Sequence, residues 1–467
     1  MGLNSVKGDS GGIDVVIVGA GPTGLVLAVD LLRRGVRVRL LERGERLFPG
    51  SRGKGIQPRT REVLDDLGVG AAFTAAGGPY PPMRAWRDGE PGERWDLAER
   101  TGPIPGAPYH EALMVPQWRT QELLYARVRE LGGEAEFGAE VAGLAQDAEG
   151  VTVRLADGRA VRGRYLVAAD GGRSTVRREL GIAMHGETVD PSPMLVADVR
   201  LGADAELGRD AWHVWPEAPG GSLALCPLAG VPEFQLAAQF APGTEVSVSA
   251  AAVRSLISSR TGIPASAVQE VRWASDFTAR AAMAERFREG RVFLAGDAAH
   301  VHSPAGGQGL NTGVQDAYNL GWKLGEVLRG AAGEELLDSY AVEREAVAAD
   351  VLGLSTRIHR GVVRRGSSTH QLDVGYRSSP LSRDLRAAPG GWLRPGDRAP
   401  DAECVLSDGT PVRIFDLLHG TGYVTLSFGG TPPPGSYAIT KTEPHAEAAY
   451  GPDTYTIRPD GYISVAQ

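Results

Sequence analysis

Six residues, Gly19-Ala20-Gly21-Pro22-Thr23-Gly24, stand between a short apolar run, Val15 to Val18, and a stretch in which Leu27, Ala28, Leu31 and Leu32 recur at helical spacing until Gly35. At a strand-to-helix junction, glycines permit the turn, let backbone approach a pyrophosphate, and allow the helix to pack closely on the sheet. The phosphates then rest on the positive helix end. Glu42 follows Gly24 by 18 residues, at the end of a second strand that begins at Val36. A carboxylate there can accept hydrogen bonds from both hydroxyls of a ribose. The glycine string alone is weak evidence and reads equally as a structural turn; its placement, with the acidic residue at that distance, makes a dinucleotide site the expectation.

Two further segments point to FAD rather than NAD. Phe293-Leu294-Ala295-Gly296-Asp297-Ala298-Ala299-His300 puts a carboxylate at a strand end among small residues, where Asp297 is free to bind a ribityl hydroxyl. Gly306-Gly307-Gln308-Gly309-Leu310-Asn311-Thr312-Gly313 opens a helix running from about Thr312 to Leu328. Backbone N–H groups at that positive helix end would stabilise the negative charge of a reduced flavin near N1 and the C2 carbonyl. The competing reading of both segments is a plain loop and cap.

The elements that must position these residues follow from patterning. Strand, helix and strand from Ile13 to Glu42 form one βαβ unit of an open parallel sheet. Arg119 to Leu131 reads as a helix, and Val151 to Leu155 with Arg162 to Ala168 as strands around a turn at Asp157-Gly158. From about Gly186 to Phe277 the character changes to alternating segments, Trp212 to Trp215, Leu223 to Leu228 and Phe234 to Phe240, an antiparallel sheet inserted into the α/β domain. Arg291 to Ala295 returns to buried strand. The long helix is expected to bury one face, Val314, Ala317, Tyr318, Leu324 and Leu328, and to stop at Gly330. A Gly, Pro and Arg-rich stretch from Ala388 to Pro400 reads as a linker to a small α/β module.

Composition agrees with an enzyme for small molecules. The 467 residues are 42% hydrophobic with a net charge of -8, which suits several packed domains and opposes a nucleic-acid surface. The only cysteines, Cys226 and Cys404, are far apart, so neither a disulfide framework nor a Cys-x-x-Cys metal site is available; no metal is expected. Residues 1–12 are polar and Gly-rich, a disordered lead-in rather than a signal peptide. The apolar run from Val15 is interrupted too soon to span a bilayer, and a cytoplasmic location is expected.

With these motifs in hand, the chain resembles the single-component flavin aromatic hydroxylases of the para-hydroxybenzoate hydroxylase type, and within them the branch of aromatic polyketide hydroxylases, phenol hydroxylase and rifampicin monooxygenase. Three fingerprints occur in family order: Gly19 to Gly24, Asp170-Gly171 and Gly296-Asp297. The resemblance implies a Rossmann-like FAD-binding domain (13–75, 110–185 and 286–387), an inserted antiparallel-sheet substrate domain (76–109 and 186–285), and a thioredoxin-like C-terminal domain (392–467). That last domain resembles the family through Leu393 to Pro400 and Ile457 to Tyr462, lacks Cys-x-x-Cys, and stops at Gln467 short of the further helical stretch expected of the family.

Carried over by motif, Pro22, Thr23 and the surrounding backbone would bind pyrophosphate, Glu42 and Arg43 the adenosine end, and Arg52 the flavin or phosphates. Arg119 resembles a further FAD contact; for both arginines the alternative is a solvated salt bridge. Asp170 and Gly171 would contact FAD and help a nicotinamide dock, and Pro304, Gly307, Gly309, Leu310 and Asn311 would surround the isoalloxazine ring. Gln235 and Gln239, alternating on one strand face, are the candidate substrate contacts. His300 and His302 lie near the flavin by motif, but each reads equally as a structural histidine, and no catalytic base is marked.

The activity implied is hydride transfer from NADPH or NADH to FAD, capture of O2 as a flavin C4a-hydroperoxide, and oxygen transfer to an aromatic or polyketide natural product. Antibiotic-inactivating oxygenation and Baeyer-Villiger insertion use the same scaffold. From another class, an FAD-dependent reductase without oxygen activation is the rival. The resemblance allows a homodimer; no interface is readable.

Overall fold

The computed structural model describes residues 12–98, 100 and 102–467. The lead-in expected over residues 1–12 therefore lies, apart from Gly12, outside the described residues. β1 (Ile13–Val18), α1 (Pro22–Arg33) and β2 (Val38–Glu42) form the expected unit, with β1 parallel to β2 on one side and to β3 (Ala160–Ala168) on the other. Val15, Val16 and Ile17 have no exposed surface, as befits a strand with neighbours on both edges and chain covering both faces. α2 (Gln117–Glu130) begins two residues before the expected start. The strand Ala135–Phe137 extends the sheet beyond β2, and the hairpin Val141–Gln146 and Val151–Leu155 leads back into β3 through the turn at Gly158.

The chain then leaves this layer to build an eight-stranded sheet. Its centre is β4 (Met184–Leu201), followed along the chain by β5 (Trp212–Trp215), β6 (Leu223–Pro227), β7 (Phe234–Gln239), α3 (Ala250–Thr261) and β8 (Val268–Ala284). β4 lies antiparallel between β7 and β8, and Met83–Arg87 with Glu90–Trp95 completes the far edge. One face, including Leu195, Ala197, Val199, Leu225, Phe234 and Leu236, packs on Val253 and Ile257 of α3. The period of two then forces the neighbours in register, Asp198, Gln235 and Cys226, onto the opposite face. Gln235 reaches Ser51 and Lys54 from there, so this face looks at the α/β layer.

β9 (Val292–Leu294) re-enters the first sheet parallel to β3. α4 (Gly309–Leu328) and α5 (Asp338–His359) follow. α4 starts three residues earlier than its periodicity predicts and departs from it in a second way: every residue from Asn311 to Val327 is buried. The one-sided apolar stripe is real, but α1, α5 and the C-terminal module cover the rest, so the polar residues need internal partners. Lys323 Nζ bonds Asn319 Oδ1 at 2.8 Å and Glu343 Oε2 at 2.7 Å, and Asn319 Nδ2 donates to Glu343 Oε2 at 2.7 Å.

The C-terminal module holds a seven-stranded mixed sheet with short helices Ile414–Leu418 and Pro444–Tyr450. Arg383–Asp384, assigned by sequence to the FAD-binding domain, instead pairs with Ile463–Ala466 in this sheet. The stretch read as a linker is packed as well: Leu393 and Ala399 lie in the module's core, and the Gly396 N–H bonds the Ile463 carbonyl at 2.7 Å. Glycine and proline there serve close packing rather than reach. Both cysteines are buried and unpaired, and among the described residues no helix is long and apolar enough to cross a membrane.

Module and helices are joined by a buried charge cluster. Arg458 bonds Glu343 at 2.6 and 3.1 Å and Asp460 Oδ1 at 2.9 Å, while the Trp322 Nε1–H donates to Asp460 at 3.0 Å. Burial pushes the Glu343 carboxyl upward, yet Arg458 and Lys323 outweigh it and hold it well below the usual range; Lys323 is drawn down to about 8 by burial. Removing one partner of such a cluster strands a buried charge. Arg458→Met is therefore expected to cost about 3–5 kcal/mol in denaturant unfolding, against under about 0.5 kcal/mol for Lys441→Met, an exposed position.

Candidate functional site

The loop between β1 and α1 shows what each glycine does. Gly19 has φ +105°, and a Cβ there would lie 2.4 Å from the Ala169 carbonyl oxygen and 3.1 Å from Asp170 Cα. A Cβ on Gly24 would lie 2.0 Å from the Gly19 carbonyl oxygen. These two are glycines because the chain leaves no room. Gly21 differs: with φ -73° it has ordinary extended geometry, and a Cβ would meet nothing within 4 Å. The space above it is open, as a pyrophosphate at the end of α1 requires. Pro22 and Thr23 form the first turn of α1, and Thr23 Oγ1 is accommodated only because residues 296 and 313 are glycines, whose Cβ atoms would sit 2.6 and 2.5 Å from it.

Glu42 accepts the Ala20 N–H at 2.8 Å through Oε2 and the Gly44 N–H at 2.8 Å through Oε1. It pins both loops while keeping unused lone pairs. Asp170 Oδ2 accepts from Thr175 and Val176 N–H at 2.8 and 3.2 Å, capping the short helix Thr175–Glu179. Its Oδ1 is buried without a partner, and burial raises the carboxyl above its usual range. Gly171 has φ +85°. The Asp-Gly turn thus lies against the Gly19 loop, with a spare acceptor.

Asp297 is exposed between buried Gly296 and Ala298. Protein nevertheless surrounds it closely enough to raise its carboxyl, with His300 and Arg52 opposing; it stands on the floor of a cleft. Arg52, which acts on Asp297, is exposed and 5.4 Å from the Phe48 ring; Pro304 is exposed as well. Gly309 faces Asp297 too: a Cβ there would be 4.0 Å from Asp297 Oδ1 and 3.8 Å from His302 Cδ2. Gly307 opens onto free space. Leu310 approaches from the side, 3.5 Å from where a Cβ on Gly53 would be. The first intrahelical bond of α4 is Thr312 N–H to the Gln308 carbonyl, so the N–H groups of Gly309, Leu310 and Asn311 have no partner within the helix.

Beneath this floor runs a buried relay that sequence reasoning missed. Asp316 on α4 accepts from Arg344 Nε at 2.7 Å and from the Gly296 N–H at 2.9 Å, and bonds His300 Nε2 at 2.6 Å. Burial raises Asp316, but His300 and Arg344 outweigh it and keep it ionised. His300 Nδ1 in turn meets His302 Nε2 at 2.9 Å. Burial, then His300, hold His302 well below the histidine range, so it is neutral. An acidic residue inside an apolar helical run was the available signal for Asp316; nothing local marks Arg344.

Other candidate residues are placed differently. Arg43 is exposed. Arg119 pairs with Glu122 at 2.9 Å, both about 42% exposed, the arrangement of a solvated ion pair; its neighbour Gln117 instead accepts the Gly53 N–H at 3.0 Å. The Asn311 side chain is fully buried and turned from the cleft: Oδ1 accepts the Gln57 N–H at 2.8 Å, and Nδ2 donates to Gly55 and Gly307 carbonyls at 2.9 Å each. It staples the two loops, leaving only its N–H for a ligand. Gln239 donates to Asp190 at 2.9 Å. Asp198, on the inward sheet face, has no partner for either oxygen, and burial lifts it to about 6.

Residues 12–355 match a family described as an FAD binding domain. A flavin-dependent monooxygenase of Mycobacteroides abscessus is 45% identical over 466 residues, covering 97% of this chain and 96% of the relative. The 12-dehydrotetracycline 5-monooxygenase/anhydrotetracycline 6-monooxygenase of Streptomyces rimosus is 37% identical, covering 96% and 94%. Among solved structures, aklavinone-11 hydroxylase in ternary complex with FAD and aklavinone superposes with a TM-score of 0.79 at 29% identity, over 98% of this chain and 96% of that one. The fold agrees with these likenesses.

Two measurements probe this geometry. Gly21→Ala is expected to keep its folding stability within about 0.5 kcal/mol while losing bound flavin absorbance, whereas Gly24→Ala loses about 3 kcal/mol through overpacking. Asp198 ionises more easily in the unfolded chain, so its penalty grows as pH rises from its ordinary 3.8 to about 6 and persists above. Asp198→Asn should accordingly gain about 2–3 kcal/mol at pH near 8 and nothing near pH 3.5, read from paired unfolding curves.

Proposed function

Because this chain belongs to the flavin-dependent aromatic monooxygenases, we propose that it uses FAD, NADPH or NADH, and O2 to hydroxylate an aromatic, polyketide-like substrate. The observation that carries the reading is the open space at Gly21 and Gly307 with the exposed Asp297 carboxylate under the influence of Arg52, whose loop is bonded at Ser51 and Lys54 by Gln235 of the antiparallel sheet. An aromatic, polyketide-like substrate is supported by the activities of the 12-dehydrotetracycline 5-monooxygenase/anhydrotetracycline 6-monooxygenase relative and of aklavinone-11 hydroxylase.

When bound, FAD would supply the redox chemistry, taking hydride from the nicotinamide and delivering one oxygen atom of O2 to the substrate. The chain's own residues bind and position. The first turn of α1 receives the pyrophosphate, and the spare lone pairs of Glu42 receive ribose hydroxyls. Asp297 takes a ribityl hydroxyl, with Arg52 beside it. The free N–H groups of Gly309, Leu310 and Asn311, at the positive end of α4, bear the negative charge of a reduced ring. The inward sheet face excludes water, which protects a reactive oxygen donor from decay.

The test is NADPH and NADH oxidation by the FAD-loaded protein, with and without anhydrotetracycline, aklavinone and simple phenols, read with product mass and product NMR. Expected is stimulation by at least one polycyclic compound of about tenfold or more, with one oxygen gained on an aromatic carbon. Oxygen inserted beside a ketone would move the reading to Baeyer-Villiger chemistry, and substrate-independent oxidation without oxygenated product would leave a flavin reductase.

A further inference from the structure

Lys54 is one of four lysines in the chain and lies between Arg52 and the Gly55–Ile56 strand. Its Nζ donates to Gln235 Oε1 from the inward sheet face. The orientation of that amide is fixed, because Gln235 Nε2 is occupied with the Ser51 carbonyl. The ammonium also sits 4.2 Å from the centroid of the Trp212 ring. Tyr80 stacks on Trp212 with centroids 6.4 Å apart, and its hydroxyl lies against Gly55, where a Cβ would be 2.5 Å away.

A second cation enters the same corner. Arg365 donates through Nε to the carbonyl of Ala305, next to Pro304; burial, with Arg365 adding to it, pushes the Lys54 ammonium below its usual range, so a bound anion would restore its charge. Among the described residues, neither Lys54 nor Arg365 forms an ion pair with a carboxylate. The carboxylate acting on Lys54 is Asp198, which makes no bond to it and is itself held up by burial; Cys226 is the other titratable group facing it. An ammonium has three donors. One goes to Gln235, the Trp212 face offers no lone pair, and enclosed positive charge without a counter-ion is costly.

We propose that Lys54 and Arg365 form an oxyanion corner of the substrate pocket, which holds an ionised phenol or enol oxygen of a planar substrate packed on Trp212 and Tyr80. The proposal rests on the monooxygenase reading and specifies the substrate's chemical form. On binding, the substrate O–H breaks, its proton leaves to bulk water, and the two cations balance the charge that stays. An ionised oxygen feeds electron density into the ring that accepts the oxygen atom, so the corner favours hydroxylation over insertion beside a ketone.

The experiment uses FAD-loaded protein without nicotinamide, so that only binding is read. The probes are alizarin, whose visible spectrum reports its ionisation, and its dimethyl ether, which cannot ionise. Expected is alizarin bound as the anion at a pH where it is neutral in solution, and at least about tenfold more tightly than the ether. Lys54→Met removes the spectral shift and that advantage with flavin content and ether affinity retained, while Lys54→Arg keeps the shift. Alizarin bound as the neutral form, equal affinity for the two probes, or binding of neither overturns the proposal. If Lys54→Met fails to load flavin, the wild-type comparison and Lys54→Arg still decide. Turnover separates the two readings: anion binding without any oxygenated product sinks the monooxygenase reading alone, whereas product formation by Lys54→Met at unchanged KM sinks the oxyanion corner alone.

Discussion

Asp316 accepts from an arginine, a histidine and a backbone amide inside the protein, with no exposed surface. A buried ion pair contributes little net stability against an apolar replacement, but it has few alternative arrangements. What it fixes here is position. Through the Gly296 N–H it sets the turn that carries Asp297; through His300 it orients His302; and through Arg344, which also bonds Tyr376 at 2.8 Å, it ties α4 to α5 and to the approach of the C-terminal module. The two glycine-rich loops and the Gly-Asp turn can face one cleft because this carboxylate holds their supports together.

The parts of the site legible in sequence are those encoded by local sterics. Gly19 and Gly24 are glycines because neighbouring backbone occupies the space of a Cβ, whereas Gly21 stands beside open space. Strand and helix limits emerged within a few residues because apolar period reports which side faces the core. What spacing cannot report is what covers the other side. The full burial of α4 depends on α5 and on residues more than a hundred positions downstream, and the Asp316–Arg344 pair is joined across the fold. Arg119 and Asn311 show the complementary limit: a motif names a residue, but what its side chain already engages depends on partners such as Glu122 and Gly55. Lys54 carried no signal beyond rarity.

Charge at the site is mixed within a chain that is net negative by 8. Arg52, Lys54, Arg365 and the positive ends of α1 and α4 stand among Glu42, Asp170, Asp198 and Asp297. A dianionic pyrophosphate would therefore have to be held by short-range contacts with individual groups rather than by long-range steering.

The clamp of Arg458 and Asp460 on Glu343, Lys323 and Trp322 has a temporal side. These partners are separated by more than a hundred residues of synthesis, and until the later ones emerge from the ribosome, Glu343 and Lys323 have each other, Asn319 and, once it is made, the Ser379 hydroxyl. The nascent α4 and α5 pair therefore holds a balanced but uncovered ion pair on the surface it must bury, and its cover comes from Arg458 and Asp460 of the C-terminal module. Since Gly309 and Leu310 open α4, cofactor capture would in that order of events follow the docking of the C-terminal module.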